Sequence, residues 1–507
     1  MLLAYSTCGV KIMMDGLVKR YRTILMVGML LVVISFFVGI WRVINQATLE
    51  SIIDTSSAAY LSASAIEAIL HAYAEIVPLF GLGILKLGIG FAIVTIVVSL
   101  RTTGENASTS LAKIDLQPPE VKPPLYARIF AKMLVLGILI ELVAVFITIA
   151  WMAAEVAIID PGLAHLFEIF AEPLEGLGVS LLIGGIALGL ATIVLNLMTQ
   201  AIVLPGRLIQ MATGKESNPG SIKELFPKRT LMATYLGMII TATGLIPLAF
   251  IRLFIDIPTP TWENWMFVGI GIMLFSIAYW LLTIIKWLRA QRVNLGKAVA
   301  QSAEIDVPEI ESTLSITKLV PILAFIGLLW MVSFAILGLL FPTGLLNPFG
   351  PLVRPGKAIG MATIFLGIGL ALMTIVVNLK LTAFMLPGSF SKIVSAIKGE
   401  KVEGAPGFSV GNPMSLAPKK LFAGMIVGAI VAALGTIPLA WIRIAIPDLF
   451  FIAERMIGTT VSLGIGIIFF FIGLFFGTIV TFVSGRRTMI SEGIETCVYY
   501  VAEKQNK

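Results

Sequence analysis

Residues 81–100 read GLGILKLGIGFAIVTIVVSL, a run of twenty residues with a single charged side chain, Lys86. Crossing the hydrocarbon core of a bilayer takes about 20 mainly apolar residues. Because lipid offers the backbone no hydrogen-bond partner, a run of this length and apolarity is expected to cross as an α-helix. The stretch therefore predicts a membrane-spanning helix.

Four later apolar runs repeat this pattern of a glycine-rich start followed by a Thr-Ile pair. The five pairs are Thr95-Ile96, Thr192-Ile193, Thr283-Ile284, Thr374-Ile375 and Thr478-Ile479. Each of these runs follows another apolar run, which gives ten spans arranged as five tandem helical hairpins. We therefore predict an all-α polytopic membrane protein with about ten transmembrane helices.

The hairpins fall into two alternating types. Hairpins two and four share the sequences NLMTQAIVLPGR (196–207) and NLKLTAFMLPGS (378–389). Hairpins three and five share ATGLIPLAFIRL (242–253) and ALGTIPLAWIRI (433–444), and hairpin one carries the related GIWRV around Arg42. Because every hairpin contains two spans, successive copies keep one orientation. The order A-B-A-B-A thus predicts parallel repeats about an axis along the membrane normal.

Charge separates the two sides of the predicted membrane. Both termini and the long linkers are rich in Lys and Arg, whereas the alternate turns are poor in bases and rich in acids. Because basic segments stay inside, we predict a protein of the cell membrane with both termini in the cytoplasm. The hairpins are expected at 23–101, 129–207, 230–289, 317–388 and 420–486, and the cytoplasmic segments at 1–22, 102–128, 208–229, 290–316, 389–419 and 487–507.

The composition excludes several classes of protein. Hydrophobic residues make up 58% of the chain and charged residues 13%, against roughly 45 to 50% and 25% in soluble domains. A soluble enzyme, a disordered chain and a disulfide-stapled secreted domain do not fit these values. The net charge of +7 divides into a basic inner and an acidic outer face, so nucleic-acid binding is not expected.

Two ionisable residues lie inside predicted spans, Lys86 and Glu141. Charges within a bilayer are costly and are functional candidates by default. They belong to adjacent hairpins at similar depth, so a buried ion pair would neutralise both. A role in proton or substrate movement and snorkelling toward the lipid surface are the alternatives.

The repeated threonines form a second candidate set, together with two asparagines one turn further on: Thr95, Thr192, Thr283, Thr374, Thr478, Asn196 and Asn378. A Thr hydroxyl can bond the carbonyl one turn earlier or a neighbouring helix, which predicts a role in packing. Hydrogen bonding between the two B hairpins would satisfy the asparagines. The functional alternative is a polar stripe that lines a pore.

Three candidate sets lie on the predicted outer side. The acidic turn of hairpin two predicts a solvated face, with partner docking or a divalent cation as alternatives. Arginines that close the first helix of each A hairpin are expected to be interfacial anchors, with an anion site as the alternative. The two histidines are expected at the membrane surface; ligation of one haem or a metal is the alternative, and no cofactor is predicted. These residues are Glu155, Asp160, Glu168, Glu172 and Glu175; Arg42, Arg252 and Arg443; and His71 and His165.

Two cytoplasmic segments, RLIQMATGK (207–215) and SFSKIVSAIKGE (389–400), follow Pro-Gly pairs and predict short interfacial helices. The sequence contains no GxxxxGK[ST] loop, HExxH or CxxC motif, and the linkers are too short for a folded catalytic domain. We therefore expect a non-enzymatic chain.

Three functions fit the sequence. The first is a scaffold or anchor subunit of a larger membrane complex, whose acidic outer face docks other membrane or extracytoplasmic subunits. The second is a secondary transporter or permease with a site between the repeat halves. The third is an electron-transfer subunit that holds one haem through His71 and His165.

Overall fold

The computed structural model describes residues 2–52, 57–116, 123–157, 161–214, 225–252, 259–303, 315–340, 350–400, 402, 413–446 and 450–505. These ranges form ten α-helices: α1 (Leu2–Ser51), α2 (Ala58–Ala112), α3 (Tyr126–Ala157), α4 (Pro161–Thr213), α5 (Lys228–Arg252), α6 (Thr259–Ala303), α7 (Leu319–Leu340), α8 (Gly350–Lys398), α9 (Lys419–Ala445) and α10 (Phe450–Gln505). Short 3₁₀ segments, Ser315–Lys318 and Pro413–Leu416, precede α7 and α9.

Nine of these helices contain a described segment long and apolar enough to cross a bilayer. The remaining helix is α5, whose side chains beyond Leu245 lie outside the described residues. The prediction of an all-helical, multi-pass membrane protein is thus confirmed for the described ranges. The A-B-A-B-A grouping and the cytoplasmic placement of the termini stay predictions.

Consecutive helices pack as five antiparallel pairs, from α1 with α2 to α9 with α10. In every pair, the two backbones come close at two glycines, one on each helix: Gly28 with Gly81, Gly137 with Gly178, Gly237 with Gly269, Gly327 with Gly360, and Gly428 with Gly464. A Cβ atom on Gly327 would lie only 2.7 Å from the carbonyl oxygen of Gly360. Absent side chains let the backbones touch, which is how helices pack tightly in lipid.

The second helices of the five pairs form a closed inner ring. Contacts run from α2 to α4, α6, α8 and α10, and from α10 back to α2. Each first helix packs on its own partner and on the preceding inner helix, so it covers the seam between the two. The molecule is therefore a two-layered bundle around one central axis.

Exposure follows these layers. Large apolar side chains on the outer helices point away from the bundle, such as Leu30 on α1, Phe146 on α3 and Phe325 on α7, each more than half exposed. The inner helices instead bury residues such as Leu190 and Trp280 completely. An apolar outer surface of this kind is suited to lipid contact.

The inner helices are much longer than a membrane requires. Helix α4 has 53 residues, about 80 Å at 1.5 Å per residue, against a hydrocarbon core of about 30 Å. The additional length of the inner helices lies on the side where α1 begins and α10 ends, here called the terminus side. There the five inner helices form a second buried core that includes Leu208, Val299 and Phe390.

This second core overturns one expectation. Residues 207–213 and 389–398 do not form separate interfacial helices but continue α4 and α8, and Pro205 and Pro387 lie inside those helices. The apolar residues that follow each proline recur at helical spacing and pack against the neighbouring inner helices. Packing along the axis thus outweighs the local disruption by proline.

Candidate functional site

Rings of apolar side chains close the central axis. The isoleucine that follows each repeated threonine lines a small axial cavity, together with the residue four positions later. These two rings consist of Ile96, Ile193, Ile284, Ile375 and Ile479, and of Leu100, Leu197, Leu288, Leu379 and Val483. Positions four apart share one helix face, so the side chains stack along the axis.

Seven residues before each isoleucine of the Thr-Ile pairs, a further isoleucine occupies the same heptad face: Ile89, Ile186, Ile277, Ile368 and Ile472. All five are buried in the main core. We call these three levels the apolar seal. A narrow, dry constriction of this kind blocks ions by excluding their water.

The hydroxyls of the repeated threonines bond within their own helices. Each hydroxyl donates to the carbonyl one turn earlier, as Thr192 does to Leu188 at 2.9 Å and Thr374 to Leu370 at 2.8 Å. The same bond occurs at Thr95, Thr283 and Thr478. The adjacent isoleucines, rather than the threonines, line the axial cavity.

The asparagines bond within their own helices and to a neighbouring A hairpin. The Asn196 and Asn378 amides each donate to a threonine carbonyl one turn earlier, at 2.8 Å. The Asn378 Oδ1 atom also accepts a 2.5 Å bond from Arg292 on α6. The cross-helix partner of Asn378 is therefore Arg292, and not Asn196 of the other B hairpin.

A larger cavity, the outer cavity, lies beyond the apolar seal on the side away from the terminus side. Its empty volume is about 1050 Å³ including the mouth, and α3 and all five inner helices line it. Its walls carry Ile183, Leu274, Phe365 and Phe469 at successive inner helices. Pockets that are mainly apolar with a few convergent polar groups are typical of binding sites.

Lys86 and Glu141 meet in the wall of this outer cavity. Lys86 Nζ lies 2.7 Å from Glu141 Oε1, and the two side chains are 8% and 12% exposed. Glu141 fits between α2 and α4 because Gly83 and Gly178 leave room for its side chain. The structure thus brings the two intramembrane charges together in a hydrogen-bonded ion pair.

The first outer arginine also has an acidic partner. Arg42 Nε lies 2.9 Å from Glu67 Oε1, and Arg455 on α10 lies 3.0 Å from the same oxygen. Arg455 additionally donates to Gln46 at 2.8 Å. Glu67 therefore ties the ends of α1, α2 and α10 together. The side chains of Arg252 and Arg443 lie outside the described residues.

Most of the predicted outer acidic and histidine set also lies outside the described side chains, namely Glu155, Asp160, Glu168, Glu172 and His165. Glu175 lines the outer cavity, and His71 lies on α2, partly exposed. Among the described residues, no group of three potential ligands could hold a metal ion.

Lys357 is a further buried charge, which the repeat and charge patterns of the sequence do not indicate. It lies on α8 and is 3% exposed. Its Nζ lies 3.0 Å from Asn264 Oδ1 on α6 and 4.2 Å from the centre of the Phe267 ring. Gly356, the residue before Lys357, can admit a closely packed neighbouring helix, and this was the sequence feature that could have indicated burial.

The linker before α9 contains GFSVG (407–411), which fits the G-x-S-x-G pattern of a nucleophile elbow. That motif has catalytic meaning at a strand-to-helix turn of an α/β sheet. These residues lie outside the described ranges, and the elements that flank them are helical. The motif therefore provides no support for an enzyme.

Comparison of the chain with protein-family models, curated proteins and solved structures finds no match. The function must therefore be argued from the geometry. The central features are an outer cavity with an ion pair and an apolar seal on the same axis.

Proposed function

We propose that the protein is a membrane transport protein whose path follows the axis of the inner ring and is closed here by the apolar seal. The observation that carries the proposal is the outer cavity, which reaches all five inner helices and ends at the seal. A cavity that narrows to an apolar constriction is the arrangement expected of a closed path.

The ion pair adds support. A bundle that served only as an anchor would gain nothing from taking Lys86 and Glu141 out of water, since two desolvated charges rarely stabilise a fold. Intramembrane ionisable residues usually mark a route for ions or substrates. The pair lies in the cavity wall, where a solute entering the path would meet it.

The proposal includes an orientation. With both termini in the cytoplasm of the cell, as the distribution of Lys and Arg predicts, the outer cavity faces the external side. The five inner helices would then be contributed by five parallel hairpins, whose A-B-A-B-A order we retain as part of the proposal.

The test makes the seal polar. The central ring of the apolar seal is formed by the five isoleucines that follow the repeated threonines. Ile193→Ser and Ile375→Ser, introduced together, place two hydroxyls in this ring; the two isoleucines are 4% and 2% exposed. We expect proteoliposomes with this double variant to leak small ions at least tenfold faster than wild type, because a wetted constriction conducts. The matched control is Ile239→Ser with Ile322→Ser, which alters lipid-facing positions that are 58% and 50% exposed.

The outcomes separate the competing functions. Leakage from the seal variant, with none from the control, supports a transport path on the axis. If the seal variant folds and its vesicles stay tight, the axis is only a packed core. A scaffold would then be favoured, and co-purifying subunits would be sought. A haem Soret band would instead favour electron transfer.

A further inference from the structure

A polar layer follows the apolar seal on the terminus side. Seven residues after each central-ring isoleucine, the same heptad face of the inner helices presents Thr103, Gln200, Gln291, Thr382 and Arg486. Four of these positions are at most 4% exposed: Thr103, Gln291, Thr382 and Arg486. Beyond the layer, Leu295, Leu386 and Ile490 begin the second core. The polar layer is thus enclosed between two apolar regions.

Arg486 is the only charged residue of this layer, and it is 3% exposed. It lies one turn after Val483, which lines the axial cavity, and one turn before Ile490 of the second core. Residues at these spacings share a helix face, so the guanidinium points toward the axis.

The guanidinium has no protein partner within the described part of the chain. All three of its nitrogens are buried without a hydrogen bond. The other four members of the layer are neutral, and none can neutralise the charge. By contrast, Arg292 at nearly the same depth has the Asn378 amide oxygen at 2.5 Å. Among the described residues, Arg486 is therefore a desolvated positive charge without a counter-charge.

Such a charge requires a counter-charge that the described residues do not supply. Arginine stays protonated in proteins, so it cannot shed its charge when buried. Burying an ion alone costs several kcal/mol even after relaxation of its surroundings. A bound anion removes this cost, and it accepts the hydrogen bonds that the guanidinium would otherwise lack.

The layer also offers neutral ligands. The amide oxygens of Gln200 and Gln291 are buried without partners. Because the orientation of an amide is assigned from its hydrogen bonds, rotating the Gln291 amide would place its NH₂ where the unpartnered oxygen lies. Gln200 already donates its NH₂ to the Leu100 carbonyl at 3.0 Å, which leaves Gln291 as the available second donor.

We propose that Arg486, assisted by the Gln291 amide, binds a small monovalent inorganic anion of halide size on the axis of the bundle. The Arg486 guanidinium supplies a single positive charge, which one monovalent anion balances. The inference depends on these contacts and stands whether or not the axis conducts. If both proposals hold, the transported solute is anionic.

The experiment measures thermal unfolding of the full-length protein in mild detergent, in sodium bromide and in sodium gluconate of equal ionic strength. We expect bromide to raise the wild-type Tm by roughly 2 °C or more, saturably, because an anion that binds only the folded state stabilises it. Arg486→Met should lose this increment. Arg487→Met, the matched control at the next and partly exposed position, should keep it.

Two outcomes would overturn the site: equal Tm values of the wild type in the two salts, or a bromide increment that persists in Arg486→Met. Sodium phosphate provides a size test, and an Arg486-dependent rise larger than that in bromide would contradict an ion of halide size. If Arg486→Met does not fold, bromine anomalous scattering from wild-type crystals decides. Density beside the Arg486 guanidinium supports the proposal, and its absence there rejects it. Tight vesicles in the transport test would leave this result unaffected.

Discussion

The ion pair between Lys86 and Glu141 allows the sharpest test of how this bundle tolerates charge. The two atoms are 2.7 Å apart, and neither side chain is more than 12% exposed. Lys86 has no other hydrogen-bond acceptor within the described residues. Glu141→Leu should therefore leave a buried ammonium without its counter-charge, at a cost of about 3 to 5 kcal/mol.

We expect the loss of stability to lie near the lower limit of this range, because water in the outer cavity can solvate part of the exposed charge. Lys86→Met should cost about as much, since it leaves the carboxylate unpaired. Joining Lys86→Met to Glu141→Leu removes both charges with little change in volume. We expect this double variant to recover most of the lost stability, as isosteric replacement of buried ion pairs often does.

The assay follows unfolding of all four proteins from mild detergent into increasing SDS, using the fluorescence of buried tryptophans. A double-mutant cycle then gives the interaction free energy. We expect a magnitude of about 5 kcal/mol, because each single variant should cost about 3 kcal/mol and the double variant only about 1 kcal/mol. Single variants within about 0.5 kcal/mol of wild type would refute the assignment of two desolvated, mutually dependent charges. A double variant that folds well yet transports nothing would place the pair in the path.

Two further predictions concern packing. Gly327→Ala would bring a Cβ within 2.7 Å of the Gly360 carbonyl oxygen, so it should destabilise the protein by about 1 to 3 kcal/mol in the same SDS titration. The control, Gly104→Ala, has no atom within 4 Å of the new Cβ and should be neutral or slightly stabilising. Equal effects would contradict the glycine contact. In a Cys8→Ser background, the fully buried Cys497 thiol should react with maleimide at least tenfold more slowly in the folded protein than in SDS, and equal rates would contradict the second core.

The membrane-spanning character of the fold was predictable because it depends on composition and run length, as the stretch around Lys86 shows. The lengths of the inner helices were not predictable in this way. Pro205 and Pro387 read as helix ends, and the charged residues after them read as surface segments. The contacts that override these signals come from other inner helices, far away in sequence.

The seal shows a similar limit. The Thr-Ile repeat is evident in the sequence, and its polar member, the threonine, is the natural candidate for a functional position. The threonine hydroxyl, however, bonds within its own helix. An isoleucine seven residues earlier in all five copies was the stronger sign of an axial face. Arg486 could not be distinguished from the cytoplasmic charges beside it, because its burial depends on the ring being closed.

The central claim, that the transport path follows the inner-ring axis, is tested most directly by blocking that path. In protein without native cysteines, the leaky Ile193→Ser and Ile375→Ser pair is combined with Leu288→Cys in the next ring, and single-molecule currents are recorded across a planar bilayer. We predict stepwise currents that a charged thiol reagent abolishes, and that persist when the cysteine is instead placed at lipid-facing Leu329. Currents that continue after Leu288→Cys is fully modified would contradict a path along this axis.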